Sequence, residues 1–120
     1  MNYNVKGTGV TITNELRTYV EKTLGHAEKF LRGNRTAHAD VELEFTESER
    51  GQKYRAEITL MYDGEMYRAE KRGDSMHAAI DMVGEDISRE LVRMKKKRIH
   101  MLRQSAGRVK DFIRGFRGKV

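Results

Sequence analysis

The chain of 120 residues contains no cysteine, no proline and no tryptophan, and only 8% of its residues are aromatic. The lack of cysteine excludes disulfides, a thiolate nucleophile and cysteine-ligated metal centres. No apolar run approaches the roughly 18–20 residues that a membrane span needs, and the start, MNYNVKGTG, lacks the apolar core of a secretory signal. We therefore expect a single cytoplasmic domain with one modest core.

Residue patterns typical of enzymes are equally scarce. The segment GTG at 7–9 is too short for a phosphate-binding glycine loop and is typical of a turn. No pairing of a nucleophile with a base is recognisable. We therefore expect no catalytic residues, no cofactor and no small-molecule substrate. We also expect no metal, since the spacing of the four histidines is not that of metal ligands. These are His26, His38, His77 and His100.

Charge is distributed unevenly along the chain. Residues 93–120 carry eleven of the 24 Lys and Arg residues but only one of the 18 acids, a net charge of +10. Residues 1–92 carry the other 13 bases and 17 acids, a net charge of −4. This asymmetry indicates a polyanionic partner, either nucleic acid or an anionic membrane surface. A solvated tail that keeps the chain soluble is the alternative.

Hydrophobic periodicity predicts six elements in the order βαβββα. Thr13 is the expected N-cap of the first helix, which Gly33-Asn34 would end. Asp63-Gly64 predicts a two-residue hairpin turn, because both positions need positive φ. The predicted strands lie at 2–6, 37–46, 53–62 and 65–71, and the helices at about 14–31 and from Asp74 or Ser75 onward.

The pattern indicates an α+β fold in which a four-stranded mixed sheet carries both helices on one face. The first two strands should run parallel through a right-handed crossover. We predict a βαβββα domain over residues 1–103 and a basic C-terminal tail over 104–120 that is disordered when free. The protein is expected to be a monomer when free.

A basic stripe on the predicted helices is the candidate RNA-binding surface. On the second helix it lies roughly opposite the core stripe, which is Met76, Ile80, Val83, Ile87, Leu91 and Met94. If the helices lie side by side, their cations merge into one groove-like surface. Because amphipathic helices normally carry Lys and Arg outward, ordinary solvation is the alternative. The candidate residues are Lys22, His26 and Lys29 on the first helix and Arg89, Arg93, Lys96, Lys97, His100 and Arg103 on the second.

The open face of the sheet is a poor candidate for RNA binding. It is predicted to present Asp40, Glu42 and Glu44 on the second strand, with Lys53, Arg55 and Glu57 on the third. Proteins that read RNA on a sheet stack bases on exposed aromatic rings. No exposed aromatic is predicted here, and the carboxylates would repel phosphate.

Two segments resemble the ribosome hibernation-promoting factor family, also called ribosome-associated inhibitors. DSMHAAIDMVGEDISREL is similar to the family helix EDMYAAID…DKLERQLRK, and NYNVKGTGVTITNELRTYVEKTLGHAEKF to its start, N-I-x-G…V-T-x-x-L-x-x-Y-V-x-x-K-x-x-K-L-E-K-[YF]. The resemblance covers residues 2–98 and implies the same βαβββα fold. It also implies a factor of stress or stationary phase that binds ribosomal RNA of the small subunit, excludes messenger and transfer RNA, and blocks translation.

The resemblance extends to individual positions, with three departures. His26 and Asp86 stand where the family has Lys, and His77 where it has Tyr; Asp86 would remove one phosphate contact. Longer family members carry a second domain that pairs ribosomes, and such pairing is not expected of this chain. The residues that fall on basic family positions are Lys22, Lys29, Arg89, Arg93 and Lys97.

Two other functions stay open at this point. One is a general double-stranded RNA-binding module, although such modules place lysines at the start of their last helix and residues 74–81 have neither Lys nor Arg. The other is a membrane-surface or protein-interaction module acting through residues 104–120. In that segment Val109, Phe112, Ile113 and Phe116 have helical spacing beside several cations.

Overall fold

A computed structural model describes residues 1–31, 36–47 and 51–117, with side chains through residue 107. The four strands form one sheet in the order β1-β2-β3-β4. β1 pairs with β2 in parallel and the other pairs are antiparallel, which confirms the predicted α+β fold with a mixed sheet. The elements are β1 (Asn2–Thr8), α1 (Asn14–Glu28), β2 (Ala37–Phe45), β3 (Tyr54–Tyr62), β4 (Glu65–Gly73) and α2 (Met76–Arg117).

The core lies between one face of the sheet and the two helices. Alternate residues of the central strands are buried, such as Leu43 on β2 and Ile58 on β3. They belong to the same apolar cluster as Leu24 of α1 and Ile87 of α2. Since both helices pack on these strand residues, both lie on one face, as the sequence pattern predicts.

Local signals at the turns and helix starts agree with the sequence. The Thr13 hydroxyl accepts a hydrogen bond from the Leu16 amide at 3.1 Å, which confirms the N-cap of α1. Ser75 caps α2, because its hydroxyl accepts from the Ala78 amide at 3.1 Å. Asp63 and Gly64 have φ of 53° and 74°, as the hairpin turn requires.

The first helix ends three residues earlier than predicted. Beyond Glu28 the chain continues in a tighter turn, in which the Phe30 amide donates to the Ala27 carbonyl at 3.1 Å and the Leu31 amide to the Glu28 carbonyl at 3.0 Å. Such i→i+3 bonds are common where an α-helix ends. Gly33-Asn34, the predicted end, lies outside the described residues.

The second helix continues through residue 103 to Arg117 without a break. Residues 100–106 are all exposed, so this part of α2 extends away from the core. The domain boundary at 103 and the disorder of 104–120 in the free protein stay predictions. Over the described residues, no helix combines the length and the apolar character that crossing a bilayer needs.

The two helices approach each other closely at Gly84. A Cβ atom added to Gly84 would lie 2.3 Å from Cγ2 of Thr23. Thr23 is itself held in place, because its hydroxyl donates to the Tyr19 carbonyl at 3.0 Å. The Tyr19 hydroxyl in turn donates to Asp81 at 2.5 Å, and this bond to a carboxylate raises the pKa of Tyr19. Only glycine at position 84 permits this distance between α1 and α2.

We predict that Gly84→Ala destabilises the protein even though alanine is the better helix former. Overpacking costs typically about 1–3 kcal/mol, and helix propensity returns about 1 kcal/mol at most. Since the added methyl would lie only 2.3 Å from Thr23 Cγ2, we expect the upper part of the overpacking range, about 2–3 kcal/mol, so the free energy of unfolding in urea should fall by about 1–2 kcal/mol.

Gly25→Ala is the matched control, because Gly25 lies in α1 and a methyl group added there would have no neighbouring atom within 4 Å. It should raise stability by up to about 1 kcal/mol. Thr23→Ser in the Gly84→Ala background removes the opposing methyl and should restore part of the loss. A Gly84→Ala protein as stable as the unaltered chain would contradict the close packing of the helices.

Candidate nucleic-acid interface

The nine predicted RNA-binding residues are all exposed on the helical side of the molecule. Lys22 and His26 lie on α1, and Lys29 is its C-cap residue. The other six lie on α2: Arg89, Arg93, Lys96, Lys97, His100 and Arg103.

Two adjoining cavities mark the groove between the helices, and they share Ser88 and Arg89. The first, called here the His26 cavity, has a volume of about 620 Å³. The second, called the Phe30 cavity, has a volume of about 380 Å³. The His26 cavity is lined by Thr23, His26, Asp81, Gly84, Glu85, Ser88 and Arg89. The Phe30 cavity is lined by Phe30, Ser88, Arg89, Val92, Arg93 and Lys96.

The groove brings together four of the nine candidates. His26 from α1 meets Arg89 from α2 in the His26 cavity. Arg89, Arg93 and Lys96 share the Phe30 cavity. The other five lie on the same helices but line neither cavity: Lys22, Lys29, Lys97, His100 and Arg103.

Carboxylates lie among these cations, a feature that the sequence reasoning missed. Arg89 contacts Glu85 and Asp86, each at 3.3 Å, and Arg93 contacts Glu90 at 2.5 Å. Spacings of three and four residues on a helix would have pointed to these pairs. Both arginine side chains are 73% exposed. Exposed pairs of this kind contribute only about 0.3–0.5 kcal/mol, so a phosphate can replace any of the three carboxylates.

The three departures from the family pattern each have a place in the structure. Asp86 contacts Lys71 of β4 at 3.2 Å as well as Arg89, so its charge is balanced within the chain. His77 lies 2.5 Å from Glu15 and meets the ring of Tyr19 edge-on, which ties the start of α2 to α1. His26 lines the groove.

The open face of the sheet is organised around Arg55. Its side chain is only 12% exposed and forms ion pairs with four carboxylates on three strands. The hydrogen bond from Arg55 lowers the pKa of Glu70. This face therefore mixes carboxylates with the enclosed Arg55 and with exposed cations such as Arg68 and Arg72, which makes it less favourable for phosphate than a surface of cations alone. The four partners are Glu42, Glu44, Glu57 and Glu70.

We predict that Arg55→Gln lowers the free energy of unfolding by about 1–2 kcal/mol at pH 7. The change removes charged hydrogen bonds and leaves the four carboxylates close together, although Glu57 keeps its pair with Arg68 and the more exposed partners remain solvated. Urea unfolding of both proteins measures the loss.

The loss should shrink as the pH is lowered. Because the pKa of Glu70 is lowered in the folded state, its stabilising contribution is present above its ordinary pKa and disappears as pH falls through the lowered value. The two proteins should therefore differ less at roughly pH 3 than at pH 7. Lys53→Gln, an exposed change just before β3 on the same side, should stay within about 0.5 kcal/mol at both pH values. A pH-independent difference for Arg55→Gln would contradict the assigned role of the carboxylates.

Within the described part of the chain, no group of three or more His, Asp or Glu side chains is placed to hold a metal ion.

Fold and surface together define a class: a small βαβββα domain that presents cations on its helices and carboxylates on its open sheet. The family model described as "Sigma 54 modulation protein / S30EA ribosomal protein" matches residues 3–99. The chain belongs to this family. Residues 100–120 lie outside the matched range.

Curated relatives carry the name ribosome hibernation promotion factor. The factor from a Picosynechococcus species is 31% identical over 98 residues, covering 81% of this chain and 50% of the relative. The factor from Staphylococcus aureus is 30% identical over 115 residues, covering 94% of this chain and 57% of the relative. The chain thus spans about half the length of these relatives.

Solved structures share the fold. The N-terminal domain of Thermus thermophilus Protein Y matches with a TM-score of 0.68 and 29% identity, covering 78% of this chain and 99% of that domain. A ribosomal subunit interface protein from Coxiella burnetii matches with a TM-score of 0.66 over 80% of this chain and 99% of its own, at 18% identity. The second match supports the fold alone.

Proposed function

We propose that this chain is a cytoplasmic ribosome hibernation factor that binds the small ribosomal subunit through its helical face. In this proposal it occupies the channel of messenger and transfer RNA, and so blocks translation under stress or in stationary phase. It acts by occupancy and not by catalysis. Family membership and the names of its relatives support the general role.

The observation that carries the proposed binding face is the segregation of charge between the two sides of the molecule. Arg89, Arg93 and Lys96 lie together in the groove between the helices. On the opposite side, carboxylates surround Arg55. Phosphates would therefore be attracted more strongly to the helices than to the mixed charges of the sheet.

Binding of this kind should depend strongly on salt, because cations that neutralise phosphates release condensed counterions. For duplex DNA, about 6–10 phosphate contacts cost roughly 10³–10⁵ in affinity between 50 and 200 mM salt. Ribosomal RNA should behave in the same direction. Preference for the small subunit would come from the folded shape of its RNA, since phosphate contacts carry no sequence information.

We predict that Arg89→Glu together with Arg93→Glu abolishes binding to small subunits, with at least about a 100-fold loss of affinity. Both side chains are 73% exposed, so the fold should persist. Co-sedimentation with small subunits, large subunits and duplex RNA at low and physiological salt measures the loss. Messenger RNA and initiator transfer RNA should displace the unaltered protein from small subunits.

The matched control carries the same change of charge on the other side of the domain. Lys53→Glu with Arg72→Glu alters two exposed cations of the sheet side and should bind almost as well as the unaltered protein. Normal binding by the folded Arg89/Arg93 variant would disprove the proposed face. Equal binding to every RNA would favour a general double-stranded RNA-binding module.

We further predict that deletion of residues 104–120 weakens ribosome binding at most several-fold. The proposed face lies before this segment, and the deletion removes only part of the long-range attraction to RNA. A membrane or protein-interaction module acting through these residues would lose its activity completely. Co-sedimentation of the truncated chain with small subunits, and with vesicles of anionic lipid, separates the two functions.

A further inference from the structure

Phe30 is an exposed aromatic side chain on the cationic side of the domain. Its side chain lies in the turn that follows α1 and is 38% exposed. Five large apolar side chains are exposed among the residues whose side chains the structure describes. Phe30 is the one aromatic residue of the five, and the others are Met61, Met66, Met101 and Leu102.

The surroundings of Phe30 differ on its two sides. Toward the core, its neighbours include Tyr62, Tyr67 and Leu91, and the space left between them is only about 20 Å³. A gap of that size holds about one water molecule. On the other side Phe30 lines the Phe30 cavity, a wide depression of about 380 Å³ that is open to solvent. The ring is thus supported from within and accessible from the groove.

The rim of this cavity has a different chemistry from its apolar part. Phe30 and Val92 supply the apolar surface, and Arg89, Arg93 and Lys96 surround it with positive charge. Ser88 adds a hydroxyl that can both donate and accept a hydrogen bond. An apolar surface beside several cations and one small polar group matches a nucleotide, which has a flat base next to a phosphate.

We propose that the Phe30 cavity binds a single unstacked RNA base, which stacks on Phe30 while its flanking phosphates contact Arg93 and Lys96. Sequence-tolerant stacking on aromatic side chains beside a cationic track is the usual way in which proteins hold single-stranded RNA. Charge complementarity favours this occupant, because a nucleotide brings phosphates to the three cations of the rim, two of which otherwise have only weak, exposed pairs within α2. The inference rests on the proposed function and adds the kind of ligand that this part of the groove accepts.

Phe30→Trp provides a direct probe, because the chain has no tryptophan of its own. Stacking of a base on the indole should quench its fluorescence when a single-stranded RNA oligonucleotide or small subunits are added. Met66→Trp is the matched control, since Met66 is 62% exposed on the hairpin of the opposite sheet face. The fluorescence of the Met66→Trp protein should stay unchanged when the oligonucleotide is added.

Affinity measurements separate stacking from charge. Phe30→Ala should weaken binding to small subunits by about 5- to 140-fold, the range expected for one base stacked on an aromatic ring. Phe30→Tyr should retain most of the affinity, and Phe30→Leu, which keeps apolar volume without a ring, should lose it. These losses should leave the salt dependence unchanged. Lys96→Ala should instead reduce the slope of log affinity against log salt by about one.

The outcomes distinguish this inference from the proposed function on which it rests. Phe30→Ala or Phe30→Leu proteins that are folded and bind small subunits normally would overturn the base-binding site and leave the ribosome function intact. Loss of affinity without quenching of the Phe30→Trp signal by RNA would assign the cavity to a protein side chain and also overturn it. Failure of the unaltered chain to bind small subunits would refute the proposed function, while quenching by the oligonucleotide would still support the site.

Discussion

The close packing of α1 on α2 is the constraint on which the candidate interface depends. The groove takes His26 from α1 and Arg89, Arg93 and Lys96 from α2, and it forms where the two helices pack together. Gly84 permits this packing, because it leaves room for Thr23. Bonds between the helices hold the same end of the groove, as between Tyr19 and Asp81. Farther along, the turn after Glu28 places Phe30 beside α2 and forms the second cavity.

Charged side chains distinguish the helical side of the domain from the sheet side, although residues 1–92 carry a net charge of only −4. On the sheet, Arg55 offsets the repulsion among carboxylates that would otherwise oppose folding. On α2, Glu85 and Asp86 partly neutralise Arg89 in the free protein. Because Asp86 also contacts Lys71, a phosphate that binds Arg89 need not leave Asp86 as an unpaired charge. The departure from the family pattern at this position is therefore compatible with an RNA-binding face.

The predictable features of this protein are those with local causes. Alternation along β2 and β3, the cap at Thr13 and the turn at Asp63-Gly64 each follow from a few adjacent residues, so sequence reasoning identified them. The end of α1 and the exposure of Phe30 depend on how the chain leaves the helix, which helical periodicity does not encode. The sequence does not predict the two cavities, because they form only when α1 and α2 pack against each other.

Phosphate contacts and base stacking would give the groove two sources of affinity with different physical behaviour. Phosphate contacts from Arg93 and Lys96, which line the cavity, would weaken as salt rises and would accept any RNA backbone. A base bound against Phe30 requires an unpaired nucleotide in reach of those cations, and its contribution is largely independent of salt. Stacking would therefore supply a larger share of the binding free energy at physiological ionic strength than at low salt. Duplex RNA cannot supply such a base without unpairing, so this one aromatic ring would favour folded RNA with exposed nucleotides over uniform helices.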